Sequence, residues 1–276
     1  MAGSILMLPA IGLTLIFVIR RYVNFAMAGH MTIGAYAGYA VNTGLHWPAL
    51  AALPVAFGVA GGVGLISDHV ALRPLAAYGA LTVSIASIAL NLVLENLARF
   101  IFGSQVRSYD LDIARDWTFH GLRVGPQQFE DLCIALAIMA VAFLFLRLTP
   151  IGKALRAVGD NPALADVKGI DPEAMGRFAN VIGMGLAGVG GMLFALETAT
   201  DPELGTHVLL SVFAAAVVGG LGSIPGAVAG ALLIGVAEEL SLLALPATYR
   251  SVVGFVAILL VLTLRPSGLF GTARAA

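Results

Sequence analysis

Five polar residues recur at helical spacing within one apolar stretch of the chain. They are Ser84, Ser87, Asn91, Glu95 and Arg99. Steps of three and four residues keep side chains on one face of an α-helix, and lipid cannot satisfy such groups, so the face must meet protein or water. Two interpretations stay open: the stripe lines a path for a small polar solute, or it is a seam of hydrogen bonds between helices. Glu95 would be costly inside a bilayer if unpaired, and Arg99 is its candidate partner.

A second polar segment follows the apolar run that ends near residue 148. Residues 149–176 carry too many charges to lie in lipid. We expect a short helix over 152–161 that ends before Pro162, then a second over 163–168 that Gly169 closes. The residues expected to meet a partner protein are Lys153, Ala154, Arg156, Ala157, Asn161, Ala165 and Gly169. Small alanines would enter a cleft and the cations would meet acidic groups at its rim; the alternative is a solvated amphipathic connector.

Motifs for several kinds of chemistry are absent from the sequence. There is no HExxH zinc motif and no GxSxG nucleophile elbow. Gly152-Lys153 is followed by Ala154, where a nucleotide-binding loop needs Ser or Thr. The single cysteine, Cys133, excludes an intrachain disulfide. We therefore expect no enzymatic activity, no cofactor and no metal, and any ATP hydrolysis must occur on another polypeptide. The net charge of −1 gives no indication of nucleic-acid binding.

The composition requires lipid as the solvent for most of the chain. Hydrophobic residues make up 59% of the 276 residues and charged residues only 11%, against about 25% charged in average soluble domains. Mean hydropathy is +0.94. The sequence therefore predicts an all-α polytopic membrane protein.

Nine apolar segments are candidate transmembrane helices. They are residues 4–20, 26–44, 48–67, 79–102, 129–148, 177–198, 207–221, 227–244 and 249–264. A glycine-rich break at 222–226 leaves eight or nine crossings, depending on whether the residues around it cross twice. We treat residues 1–276 as a single transmembrane domain.

Basic residues orient these segments. Nine crossings with the N-terminus outside place 10 of the 15 Lys and Arg residues in the cytoplasm, as the positive-inside rule requires. The ten are Arg20, Arg21, Arg73, Arg147, Lys153, Arg156, Lys168, Arg177, Arg265 and Arg274. In this topology residues 103–128 form an external loop and residues 149–176 a cytoplasmic one.

Small residues recur at the spacing that lets membrane helices approach closely. The predicted packing glycines are Gly34, Gly38, Gly222, Gly226 and Gly230. Glycine-rich segments beginning at Gly29 and Gly219 lie in the two halves of the chain, which suggests an inverted repeat. Two unrelated glycine-rich helices are the alternative.

Four further polar residues have simpler interpretations. Glu238 and Glu239 are predicted to lie at the outer end of their helix and to be solvated rather than to bind a solute. Asn24 and Asn180 are interpreted as groups at helix ends.

Four stretches together carry a family resemblance. They are Asn24-Phe25-Ala26 with Gly34-Ala35-Tyr36; Arg73-Pro74-Leu75 with residues 95–103; residues 152–171; and residues 217–235 with 265–271. In this order they resemble the LivH-type permeases of branched-chain amino acid ABC importers, and the likeness covers nearly the whole chain.

The resemblance implies a mechanism and a set of partners. It implies a bacterial inner-membrane permease that works by alternating access and carries branched-chain or related amino acids or amides. It also implies a second, LivM-like permease subunit, two cytoplasmic ATP-binding subunits and a periplasmic solute-binding protein, with residues 149–176 as the coupling loop. The alternative from the residues alone is an ion-coupled secondary transporter of small polar solutes that uses Glu95.

Overall fold

The computed structural model describes residues 2–110, 117–119, 122–243, 246, 250–265 and 267–271. Arg115 of the predicted external loop and Arg274 near the C-terminus lie outside these residues. Eleven α-helices occur within the described part of the chain. They are α1 (Ala2–Arg20), α2 (Met27–Leu45), α3 (Ala49–Ser67), α4 (Ala80–Phe102), α5 (Pro126–Leu148), α6 (Pro150–Asp160), α7 (Pro162–Val167), α8 (Pro172–Glu197), α9 (Leu204–Gly219), α10 (Ile224–Ser241) and α11 (Arg250–Leu264).

Each of the nine predicted apolar segments is helical, with ends within a few residues of those expected. Six of the helices are long and apolar enough to cross a membrane: α1, α3, α4, α5, α8 and α10. Helices α9 and α11 are apolar but shorter, at 16 and 15 residues, and 16 residues span about 24 Å against a hydrocarbon core of about 30 Å. The chain is a multi-pass membrane protein; the number of crossings stays a prediction.

Helices α1 and α8 form the centre of the bundle. Each is 78% buried within the protein, and they run antiparallel, with Gly12 of α1 against Gly183 of α8 and Pro9 against Gly190. Because glycine has no side chain, the two backbones come into direct contact, and the apolar residues around them close the core.

Four of the five predicted packing glycines lie at close helix contacts. A Cβ on Gly34 would overlap the backbone of Gly188, and one on Gly38 would meet the Met192 side chain. Likewise, Gly226 lies against the α9 backbone at Gly219, and Gly230 lies against it at Ala215.

Gly222 has a different function from the packing role predicted for it. It has φ of +112°, a conformation that L side chains rarely adopt, and the nearest atom that a Cβ would meet is a methyl group of Val18 at 3.9 Å. It therefore shapes the turn between α9 and α10. This turn is the break that the sequence predicted, and the inverted repeat stays a prediction.

The junction between α3 and α4 is irregular. A five-residue π-helix, Asp68–Leu72, continues α3 and passes into a 3₁₀-helix, Arg73–Tyr78. Side chains from four elements meet here. Arg20 of α1 pairs with Asp68 of the π-helix at 2.8 Å and with Glu173 of α8 at 3.3 Å, and Glu173 also pairs with Arg73 of the 3₁₀-helix at 3.3 Å. We call this end of the bundle, with Arg20, Arg21, Arg73, Arg147 and Arg156, the arginine-rich end.

The predicted external loop begins at the opposite end. Its first residues are held against the bundle: the Tyr109 hydroxyl donates to the Ala35 carbonyl at 2.5 Å, and burial raises the pKa of Tyr109. Arg107 and Thr200 exchange backbone hydrogen bonds. Further along, Trp117–Phe119 and Leu122–Val124 form a two-stranded antiparallel hairpin, a small exception to the all-α prediction.

Two predictions about polar residues are wrong. Glu238 is 2% exposed and accepts a hydrogen bond from the Ser211 hydroxyl of α9, because its face of α10 packs on α9; only Glu239 is exposed. Asn180 lies well inside α8 rather than at its end, and its amide donates to the Gly64 carbonyl of α3 at 2.6 Å. Asn24 was predicted correctly: it accepts from the backbone of Ala26, just before α2.

Candidate functional site

The polar stripe of α4 faces the protein. Asn91 is 6% exposed, Glu95 8% and Ser87 fully buried, whereas Ile85, Leu92 and other apolar residues on the opposite face of α4 are exposed. The helical spacing therefore separated the two faces of α4 correctly.

A chain of hydrogen bonds joins the stripe to α9. The Asn91 amide donates to the Thr206 hydroxyl at 3.2 Å, and the Thr206 hydroxyl donates to the Glu95 carboxylate at 3.2 Å. The Asn91 amide oxygen is buried without a hydrogen-bond partner, and it faces the position that a side chain on Gly29 of α2 would occupy, at 3.1 Å. The stripe thus faces the junction of α2, α4 and α9.

Arg99 links two carboxylates at the end of the stripe. It lies 3.4 Å from Glu95, as predicted, and 2.7 Å from Glu203, which precedes α9. The Glu95 side chain is 11% exposed, while those of Arg99 and Glu203 are 34% and 51% exposed. The cluster therefore extends from solvent to a buried acid. Its two carboxylates and one guanidinium carry a formal charge of −1, so it is suited to an ammonium or amide group.

The other end of the stripe is used within the chain. Ser87 accepts a hydrogen bond from the Phe25 backbone N–H at 2.9 Å and donates to the Ser84 carbonyl at 2.6 Å. Phe25 belongs to the short non-helical segment between α1 and α2, which Ser87 therefore anchors. This half of the stripe has the geometry of a structural seam.

Glu203 and Thr206 were missed by sequence reasoning. Glu203 precedes α9 and Thr206 lies in its first turn, more than 100 positions from α4 in the sequence. No local periodicity connects these two residues with the stripe of α4. Only the fold brings them to the stripe. Among the described residues no group of three or more His, Cys, Asp or Glu side chains could hold a metal ion.

Residues 149–176 form a helical unit with capped helix ends at the arginine-rich end. Thr149 caps the start of α6, because its side chain accepts from the Gly152 N–H at 3.0 Å. Asn161 caps the start of α7 by accepting from the Leu164 N–H at 3.0 Å, and Asp171 caps α8 in the same way. Three side chains within 23 residues thus accept hydrogen bonds from backbone N–H groups at helix starts, which would otherwise bond to water. These caps define where each of the three helices begins.

Helix α6 is amphipathic. Leu155 and Val158 are buried against the bundle, while Lys153 and Arg156 are exposed and Ala154 and Ala157 are partly exposed. Arg156 also donates to the Arg147 carbonyl at 3.2 Å, which ties α6 to the end of α5.

Helix α7 presents different residues from those expected. Ala165 is only 4% exposed and packs inward, whereas Leu164 and Val167 are 55% and 83% exposed. Gly169 lies at the predicted position after the helix, with φ of +84°, and its N–H donates to the Asp166 carbonyl at 2.8 Å. Asn161 is exposed beside its capped helix. The outer surface of α6 and α7 therefore combines cations with two exposed aliphatic side chains.

Known proteins resemble this chain along nearly its whole length. The sequence profile of a family described as "Branched-chain amino acid transport system / permease component" matches residues 1–262. The high-affinity branched-chain amino acid transport permease LivH of Escherichia coli K12 is 30% identical over 98% of this chain and 92% of its own. The corresponding figures are the same for BraD of Pseudomonas aeruginosa, and a probable LivH of Methanocaldococcus jannaschii is also 30% identical, over 98% and 89%.

One solved structure shares the fold. PsaBC from Streptococcus pneumoniae, in complex with Fab, superimposes with a TM-score of 0.50 over 98% of this chain and 91% of that one, at 13% identity. The comparisons give no support to the ion-coupled transporter that the residues alone had left open.

Proposed function

We propose that this protein, which belongs to the family of branched-chain amino acid transport system permease components, carries branched-chain or closely related small amino acids or amides as one permease subunit of an ABC importer. The observation that carries the proposal is the match to the family and to LivH and BraD over 98% of the chain. The import energy comes from ATPase subunits on separate polypeptides, because the sequence holds no nucleotide-binding loop.

The proposed partners follow from this assignment. A second, LivM-like permease subunit forms the transmembrane pair, two ATP-binding subunits dock at the arginine-rich end, and a periplasmic solute-binding protein delivers the solute at the opposite end. The location is the bacterial inner membrane, with residues 149–176 in the cytoplasm and residues 103–128 outside. Residues 1–276 then act as one permease domain.

The α6–α7 unit is the proposed coupling element. Its capped helix ends give it a fixed shape, and a rigid element transmits the movement of a partner better than a mobile loop. Lys153 and Arg156 supply exposed positive charge for acidic groups on the ATPase, and Leu164 and Val167 supply apolar contact. Helix α8 follows this unit after residues 168–171 and runs into the centre of the bundle, so one helix connects the docking surface with the bundle core.

The outer half of the stripe is the proposed solute contact. Glu95, with Arg99 and Glu203, offers carboxylates for an ammonium group and a guanidinium for a carboxylate, which are the two charged groups of a free amino acid. Asn91 adds an amide at the buried end of this cluster. Ser87 holds the α1–α2 connection instead, and its hydroxyl donates to the Ser84 carbonyl.

Uptake by the reconstituted complex tests the cargo. The permease pair, the ATPases and the binding protein are placed in vesicles and challenged with leucine, isoleucine, valine, other amino acids, amides and urea. We expect ATP-dependent uptake of one or more branched-chain amino acids. Uptake that follows an ion gradient without ATP would contradict the proposal.

Two variants, one double and one single, separate the coupling role of α6 from the role of the stripe in the solute path. Arg156→Glu with Ala157→Glu reverses the charge on α6, and we expect ATPase association and uptake to fall together. Glu95→Gln removes one charge but keeps the shape, and we expect uptake to fall while ATPase association stays normal. Unchanged uptake after Glu95→Gln would exclude an essential charge at Glu95 and leave only a neutral hydrogen-bonding path. Unchanged association after the α6 changes would refute the coupling role.

A further inference from the structure

A cavity at the arginine-rich end has no part in the proposed transport path. It has a volume of about 520 Å³ and lies against α1, between α5 and α6 on one side and the α9–α10 turn on the other. Its apolar lining includes Leu15, Phe143 and Leu146, and its charged lining, which we call its rim, consists of Arg21, Arg147, Arg156 and Asp160.

The cavity lies at the level where three candidate spans reach the membrane surface. One span ends at Arg20, one ends at Leu148 and one begins at Ile224. The apolar lining therefore lies within the hydrocarbon region, and the arginines lie at its edge or just beyond it. Phe143 is 39% exposed and its neighbour Leu144 55%, so the apolar lining is continuous with the lipid-facing surface of α5.

The rim has a positive charge. Three guanidinium groups and one carboxylate, Asp160, line it, which gives a formal charge of +2. Within the chain, one nitrogen of Arg156 donates to the Arg147 carbonyl at 3.2 Å, and Arg21 donates to the Gly159 carbonyl. A guanidinium has five N–H donors, so the bond from Arg156 uses only a part of its donors, and arginine binds phosphate oxygens well.

We propose that this cavity binds one anionic phospholipid, with its phosphate at Arg21, Arg147 and Arg156 and its acyl chains along the apolar lining between α5 and α10. A basic pocket between transmembrane helices at the cytoplasmic surface is the arrangement that binds anionic lipid headgroups. The positive rim selects an anionic lipid over a zwitterionic one, and the apolar lining selects a lipid over a soluble phosphate. Because the rim joins α1, α5 and α6, the lipid holds α6 against the bundle.

Lipid retention by the purified full-length protein, in complex with its partner subunits, tests the proposal. The complex in mild detergent is titrated with dioleoyl phosphatidylglycerol or with dioleoyl phosphatidylcholine, and bound lipid is counted by native mass spectrometry. We expect phosphatidylglycerol to bind preferentially. Since each basic residue near an anionic surface contributes about 1 kcal/mol, Arg21→Gln and Arg147→Gln should each weaken its binding about 5-fold.

Arg177→Gln is the matched control. Arg177 lies on α8 near the same end and is partly exposed, but it does not line the cavity, so its loss should leave lipid binding unchanged. Thermal unfolding of each variant in phosphatidylcholine shows whether it folds as the wild type does. Equal affinity of the wild type for the two lipids, or equal loss in all three variants, would overturn the proposal.

Two further arms identify other occupants. If inorganic phosphate displaces phosphatidylglycerol at millimolar concentration, the site binds soluble anions and is not a lipid site. If the lipid binds only after residues 272–276 are removed, the chain's own C-terminus is the occupant. Either result would refute the lipid assignment, while persistence of lipid binding in both arms supports it.

Discussion

Two exposed aliphatic side chains on α7 are the most direct test of how the ATPase docks. Leu164 and Val167 are 55% and 83% exposed, and full burial of such a side chain contributes about 1.5–3 kcal/mol. Scaling by the exposed fractions gives roughly 2–4 kcal/mol for the pair as an upper limit. Part of this is lost to ordering of the interface. We therefore expect Leu164→Ser with Val167→Ser to weaken ATPase association by about 2 kcal/mol, or roughly 30-fold.

Both side chains face away from the bundle, so the substitutions should leave the permease folded. The dissociation constant of the ATPase subunit from the permease in nanodiscs is the measurement, with thermal unfolding as the check on folding. Val106→Ser is the matched control: Val106 is 66% exposed but lies in the loop after α4, at the opposite end of the bundle. We expect no change in ATPase affinity for this control.

The refuting result is an unchanged dissociation constant for the double variant. In that case α7 would not contact the ATPase, and α6 alone would have to supply the docking surface. An equal loss in the Val106 control would instead mean that the assay responds to general destabilisation rather than to docking.

Three further predictions concern packing and polar contacts. Gly34→Leu forces α2 away from α8 and should lower the free energy of unfolding by about 1–3 kcal/mol. In the control, Gly44→Ala, the new Cβ meets no atom within 4 Å, so the free energy of unfolding should stay unchanged or rise slightly. Calorimetry in detergent compares the two variants. Arg20→Met should cost about 3 kcal/mol by leaving the Asp68 charge buried, and adding Asp68→Asn should recover part of the lost melting temperature. Thr206→Val should cost only about 0.6 kcal/mol, and an unchanged unfolding free energy would contradict the assignment of its hydrogen bonds to Asn91 and Glu95.

The helices were predictable because their signals are local. Apolar runs long enough to span a bilayer predicted the nine segments. Pro162 and Gly169 predicted the two ends of α7, because each restricts or permits particular backbone conformations. The faces of α4 were predictable as well, since five polar residues over four turns define a direction. These features depend on neighbours within a few residues.

The remaining features depend on tertiary contacts. Six residues of α7 are too few to show a periodicity, so the inward direction of Ala165 and the exposure of Val167 could not be read from the sequence. Glu238 is buried because α9 covers it, and the residues near Glu238 in the sequence do not indicate this burial. The same holds for Glu203, which completes the Arg99 cluster from the residue just before α9.

The glycines of α8 determine which movements are easy for the bundle. Interdigitated side chains resist sliding because each must move past its neighbour, but at Gly183 the backbone of α8 lies flat against that of α1 at Gly12, and at Gly188 and Gly191 it lies flat against that of α2. A flat contact offers little steric resistance to displacement along the helix axis. We therefore expect a shear movement of α8 along these contacts to meet less steric resistance than a movement along contacts between large side chains.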